Sequence, residues 1–226
     1  MKRFFHNELE EFRSNIVLMG ERCIEIVRDA VRALQEFDHE QAKAVLEKDD
    51  AIDSLEVMID TEAVRYISLR SPVASELRLL TVGMKVSNDL ERVGDESCTI
   101  AKRALKLAAG VPVKELHNIP LMARKAMVQL REAIDSFLEG DINKARSIPV
   151  RDREIDALHK ENYEIITRQI KSSPEDVHRL LDLIFISKSL ERIADHATNI
   201  AEEVIYLFSG EDVRHSPEVK EYKNLP

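Results

Sequence analysis

Two stretches of the chain carry the same acidic signature. Leu90 to Asp95 reads L-E-R-V-G-D, and Leu190 to Asp195 reads L-E-R-I-A-D. Residues four apart share one face of a helix, so Glu91 stands with Asp95, and Glu191 with Asp195. In the later copy the apolar stripe is Leu190, Ile193, Ala197, Ile200 and Val204. At about 100° per residue, Glu191 and Asp195 lie roughly 130° from its centre and are expected to face outward. Thr198 and Glu202 fall on the same outer face, with Asn199 at its edge, and Lys102 stands where the earlier copy would need a glutamate.

A second acidic stripe precedes each signature. Asp49, Asp53, Glu56 and Asp60 follow one another at helical spacing, and later Asp152 and Asp156 repeat the start of the row, with His159 in place of Glu56. Like charges one turn apart destabilise a helix by a few tenths of a kcal/mol per pair. A stacked row therefore has a cost that a bound cation relieves. Ligands that are all oxygen suit hard ions such as magnesium, calcium, manganese or ferric iron, and disfavour zinc or copper. The opposing reading is a solvated face, with Arg92 and Arg192 close enough in sequence to pair with the acids.

Helices must position these residues. The 226 residues include 6 Gly and no Trp, are 44% hydrophobic and 33% charged, and have 5% aromatics. That composition excludes a turn-rich β-sandwich or barrel and is too apolar for a disordered chain; it suits long amphipathic helices. Apolar residues recur three and four apart from Phe5 to Phe37 through Phe12, Ile16, Met19, Cys23 and Ile26. Asp38 is an N-cap for a second helix, and Ser71-Pro72 is expected to open a third, with serine capping and proline in the first turn. Gly110-Val111-Pro112 stops it.

The pattern then restarts. Leu121 to Leu138 form a fourth helix, Asp141 caps a fifth with Pro149 interrupting or kinking its early turns, and Ser173-Pro174 opens a sixth that ends at Gly210. Shifted by about 103 residues, Asp38 matches Asp141, Asp49 matches Asp152 and Asp53 matches Asp156; the two signatures match at about 100. The expected fold is all-α: two tandem, internally repeated three-helix bundles of six long helices. Residues 1–112 make the first, 113–210 the second, and 211–226 a loosely held polar tail.

The net charge of −9 argues against nucleic acid, and repels free phosphate unless a metal intervenes. Cys23 and Cys98 lack the spacing of a zinc or disulfide framework. No stretch is apolar enough to insert into a membrane, and the N-terminus lacks the run of a signal peptide, so a cytoplasmic location is expected.

With both repeats carrying D-x-x-I-D-x-L on the middle helix and E-x-x-x-D on the last, the chain resembles the PhoU family of phosphate-uptake regulators along nearly its whole length. The resemblance implies an all-α, metal-binding, often dimeric protein with no enzymatic turnover. It implies a negative regulator of phosphate uptake and the phosphate-starvation response. Its partners would be the phosphate-specific ABC transporter and the cytoplasmic domains of a sensor histidine kinase. By motif position the implied metal ligands are Glu91, Asp95, Glu191 and Asp195, with Asp49, Asp53, Asp152, Asp156 and Asn199 as further candidates.

Two other classes compete. A ferritin-like di-iron carboxylate enzyme needs E-x-x-H strings, and two occur, Glu36 to His39 and Glu175 to His178. Neither is preserved in the other repeat, the first straddles a helix junction, and the second falls in a first turn where acids complement the helix dipole. A metal-free structural bundle would show the same apolar stripes, and only the acids distinguish it. His196, about 100° round from Asp195, reads as a packing or surface histidine.

Overall fold

The computed structural model describes residues 2–110 and 115–213, the side chains from Phe5 onward. Six long helices account for nearly all of it, and no strand occurs among the described residues. They are α1 (Lys2–Glu36), α2 (His39–Arg70), α3 (Ala74–Ala108), α4 (Ile119–Glu139), α5 (Ile142–Ser172) and α6 (Val177–Ser209), with a single 3₁₀ turn, Pro174–Asp176, before α6.

The caps explain most boundaries. Asp38 accepts a hydrogen bond from the Gln41 N–H at 3.0 Å and Asp141 accepts one from Lys144 at 3.0 Å, which satisfies amides that a helix start leaves unpaired. Gly140 and Gly210 end α4 and α6 at φ 71° and 77°, a left-handed conformation that glycine adopts without a Cβ clash.

Three local expectations are corrected. Ser71 is not the N-cap of α3; it closes α2 in the left-handed region at φ 47°, because the following proline bars it from the α region. Helix α3 instead starts after Val73, whose N–H donates to the Glu76 carboxylate at 2.8 Å. Likewise Ser173-Pro174 opens the 3₁₀ turn, and α6 begins only at Val177. Pro149 does not break α5, because buried Ala145, Ile148 and Ile155 hold the helix to its neighbours on both sides of it.

The tail begins less loosely than expected: Val213 is buried and Arg146 pairs with Glu211 at 2.7 Å. The expected stop at Val111-Pro112, the 112/113 boundary and the tail beyond residue 213 lie outside the described residues.

The helices fall three and three, but the two sets share their core. Helix α3 packs against α1, α2 and α6; α6 packs against α3, α4 and α5; α1 also meets α4. Phe12, Met19, Leu80 and Leu90 belong to one apolar cluster with Ile134, Phe137, Leu190 and Ile200. At Gly20 a Cβ would sit 2.5 Å from Ile134 Cδ1, so the absent side chain permits the α1–α4 approach.

A core shared in this way is expected to unfold as a unit. Leu190→Ala, at a fully buried site of the second half, is expected to cost about 2–5 kcal/mol and to lower one common thermal transition. Calorimetry checks this; a second transition, with the first half unaffected, would show independent bundles.

Candidate metal-binding faces

Helix packing sets the acidic stripes opposite one another. Asp49, Asp53 and Glu56 on α2 come within electrostatic reach of Glu91 or Asp95 on α3, and Asp156 on α5 within reach of Glu191 and Asp195 on α6; Asp60 lies further along α2, beside Met84, Lys85 and Asn88. The electrostatics register the apposition. The Glu91 carboxyl is pushed above its ordinary range by burial, then by the charges of Asp95, Glu56 and Asp53, against a lowering contribution from Arg92. Asp49 is raised by burial and by Asp53 and Asp95, although the Cys98 thiol, 3.2 Å from its Oδ2, and the charge of Lys102 lower it.

In the second half burial and Glu191 raise Asp156. Burial, Glu191 and Asp156 raise Asp195 to about 6, with Lys188 and His196 acting the other way. In both halves the glutamate of the signature is half-buried and the aspartate exposed. In burial the two settings match; electrostatically they differ, since it is Glu91 that is raised in the first half and Asp195 in the second.

Glycine shapes the first face. A Cβ at Gly94 would lie 2.6 Å from Asp49 Oδ1, so the absent side chain lets that carboxylate lie against α3; the second repeat has Ala194 there. Asp152, the counterpart of Asp49, lines a cavity of about 730 Å³ between α3 and α6 together with Asp95, Asp195, Lys102 and Asn199.

Asn199 is drawn elsewhere. Its amide donates to Asp89 Oδ1 at 3.1 Å, and His196 Nδ1 lies 2.8 Å from the same oxygen. The expected surface or packing histidine therefore links the repeats. Asp89 was illegible in the sequence because its counterpart is Ser189, so no repeat marks it.

Two further expectations fail. Thr198 and Glu202 are not outward; they are 5% and 3% exposed. Neighbours on three sides cover α6 almost all round, so an angle measured from one apolar stripe misplaces them. Arg92 does lie within ion-pair distance of Glu91 and Asp95, at 3.2 and 2.9 Å, but Arg192 reaches Glu96 of α3 at 2.9 Å, and Lys188 pairs with Glu191 instead. His159 is turned toward α6: burial pushes its pKa down against the charges of Glu191 and Asp156, and its Nδ1 lies 2.9 Å from Ser187 Oγ.

The donor set fits a hard cation. The Oδ1 atoms of Asp49 and Asp60 are buried without a hydrogen-bond partner, and the remaining donors on both faces are chiefly carboxylate oxygens. As the side chains stand, no three His, Cys, Asp or Glu residues among the described ones converge closely enough to hold an ion. Loading would require side chains to turn inward and the arginine and lysine pairs to open.

Without a cation the folded state favours the protonated form of these acids. Their contribution to stability is present below the ordinary carboxylate pKa, about 4, and is lost as pH rises through the folded values, near 6 for Asp195. In a chelator, Asp195→Asn is therefore expected to raise the melting temperature relative to wild type at pH 7.5 and to give no gain at pH 4. Because Asp195 is exposed, added salt should shrink the difference. Melting curves across this range check it; equal destabilisation at both pH values would contradict the repulsion.

Comparison with known proteins follows the same duplication. A model of the PhoU domain matches twice, over residues 16–104 and 119–204. The phosphate-specific transport system accessory protein PhoU homolog of Pseudomonas aeruginosa is 39% identical over 212 residues, 93% of this chain and 88% of that one. The phosphate-specific transport system accessory protein PhoU of Escherichia coli (strain K12) is 33% identical over 215 residues, again 93% and 88%. The crystal structure of PhoU from Pseudomonas aeruginosa superposes with a TM-score of 0.89 at 37% identity, covering 92% of this chain and all of that one. With both halves matched and nearly the full length aligned, the chain belongs to the PhoU family.

Proposed function

We propose that this protein is a regulatory accessory of phosphate uptake whose two acidic faces bind hard cations. Its relatives are phosphate-specific transport system accessory proteins by name, and a similar structure is that of a phosphate transport system regulatory protein from Streptococcus pneumoniae, with a TM-score of 0.82 at 30% identity. In this reading it restrains uptake and the phosphate-starvation response when phosphate is plentiful. It does so as an adaptor, without turnover, between the phosphate-specific ABC transporter and the cytoplasmic domains of a sensor histidine kinase. It acts as a homodimer in the cytoplasm. No helix among the described residues is long and apolar enough to cross a membrane, which fits docking onto membrane partners rather than joining them.

The observation that carries the metal reading is the duplicated apposition of carboxylates. Glu91, Asp95, Asp49 and Asp53 would hold ions on the first face, and Glu191, Asp195, Asp152 and Asp156 on the second. A bound di- or trivalent ion of magnesium, calcium, manganese or iron would supply positive charge where the acids repel. The protein's own part is to keep the two rows opposed and to fix the surface that partners read. The E-x-x-H strings take no part: Glu36 pairs with Arg32 and His39 with Glu40 at the α1–α2 junction, and His178 is exposed at the start of α6.

Elemental analysis after exposure to each ion and desalting tests the metal reading. Wild type should retain ions on both faces, and Glu191→Gln with Asp195→Asn should lose about half of them; unchanged content in the double variant defeats the assignment. For the regulatory reading, disruption of the gene should raise transcription of phosphate-starvation genes several-fold in phosphate-rich medium. Unaltered transcripts would remove that role.

A further inference from the structure

The two repeats differ on the face opposite their shared seam. In the first, Lys48 of α2 bridges Glu25 and Asp29 of α1 at 2.7 and 2.6 Å, over a fully packed Ile26. Carried across the repeat, Glu25 becomes Val128 and Ile26 becomes Gln129, while Arg151 keeps the place of Lys48 and pairs with Glu132. The bridge that closes the first groove is therefore half lost. A cavity of about 320 Å³ opens between α4 and α5, lined by Leu121, Arg124, Lys125, Val128, Gln129 and Arg151, with Glu154 at its edge.

Three features of this groove lack an internal explanation. Gln129 is 2% exposed, yet neither its amide nitrogen nor its amide oxygen has a hydrogen-bond partner. A buried carboxamide left so is costly, and an apolar residue would remove the cost, as Ile26 does in the other repeat. Val128 is 50% exposed beside it. Arg124 is exposed with no ion pair or hydrogen bond among the described residues. Lys125 and Arg151 are each answered by a glutamate, Glu154 and Glu132. In a chain of net charge −9, the groove thus presents one unanswered cation above an apolar wall and an unsatisfied amide.

We propose that this α4–α5 groove docks an acidic peptide segment of a partner protein. An apolar side chain of the segment lies against Leu121 and Val128, a neighbouring carboxylate pairs with Arg124, and the Gln129 carboxamide, covered in the free protein, turns into the groove to meet a backbone peptide group, which both donates and accepts. The charge complementarity selects an acidic segment, and the apolar wall selects one with an aliphatic residue beside the acid. Because the groove involves none of the acidic faces, it is independent of the metal reading.

The test is a titration of the isotope-labelled full chain with acetyl-Leu-Glu-Leu-Asp-amide, followed by amide resonances, beside the basic control acetyl-Leu-Lys-Leu-Lys-amide. The acidic peptide should shift resonances of the groove, including the Gln129 side-chain amide, and the control should not. Arg124→Ala, at an exposed site, should weaken binding at least about fivefold. Gln129→Ile should raise the melting temperature while also weakening binding, a combination that a merely structural glutamine does not give. No response to the acidic peptide, equal response to both peptides, or affinity untouched by Arg124→Ala would overturn the proposal.

Discussion

The packing of α3 against α6 governs the rest of the molecule. Each of these helices is last in its repeat, and each is covered by two helices of its own half and by the other. Burial so extensive leaves only a narrow strip of either helix open. Along that strip stand Glu91 and Asp95 on one side of the seam and Glu191 and Asp195 on the other. Apolar burial at about 25 cal/mol per Å² is what holds them there, because the acids themselves oppose the arrangement.

That opposition is the functional tension of the fold. The carboxylates of α2 and α3, and those of α5 and α6, raise one another's pKa instead of being neutralised. Arg92 and Lys188 answer part of the charge from the same helix, and solvent answers more. A hard cation would answer it without placing further bulk in the seam. The halves are equivalent in plan but not in detail: Gly94 and Cys98 shape the first face, whereas Ala194, Thr198 and His159 shape the second. Such differences are expected to give the two faces unequal affinity.

Much of this was legible in the sequence, for a physical reason. Helix period, the aspartate caps at Asp38 and Asp141 and the glycine stops at Gly140 and Gly210 are local signals, and the structure follows them. The duplication made the acids stand out from ordinary charged surface. What failed was whatever depends on neighbours distant in sequence. Thr198 and Glu202 were placed outward by a single helical wheel, yet the open strip of α6 is too narrow to include them. Asp89 and His196 meet only because the repeats pack together, and Ser71 followed the constraint of the next proline rather than its own capping preference. Gln129 carried a signal that could have been read, since a polar residue replaces Ile26 in an apolar stripe.

The central claim, that each half holds hard cations between its two acidic rows, is tested most directly by anomalous diffraction from crystals grown with manganese. The account predicts strong peaks at two places related by the internal repeat, one between α2 and α3 beside Glu91 and Asp95, the other between α5 and α6 beside Glu191 and Asp195. Maps with no anomalous density at either place, from crystals in which manganese is plainly present elsewhere, would contradict it.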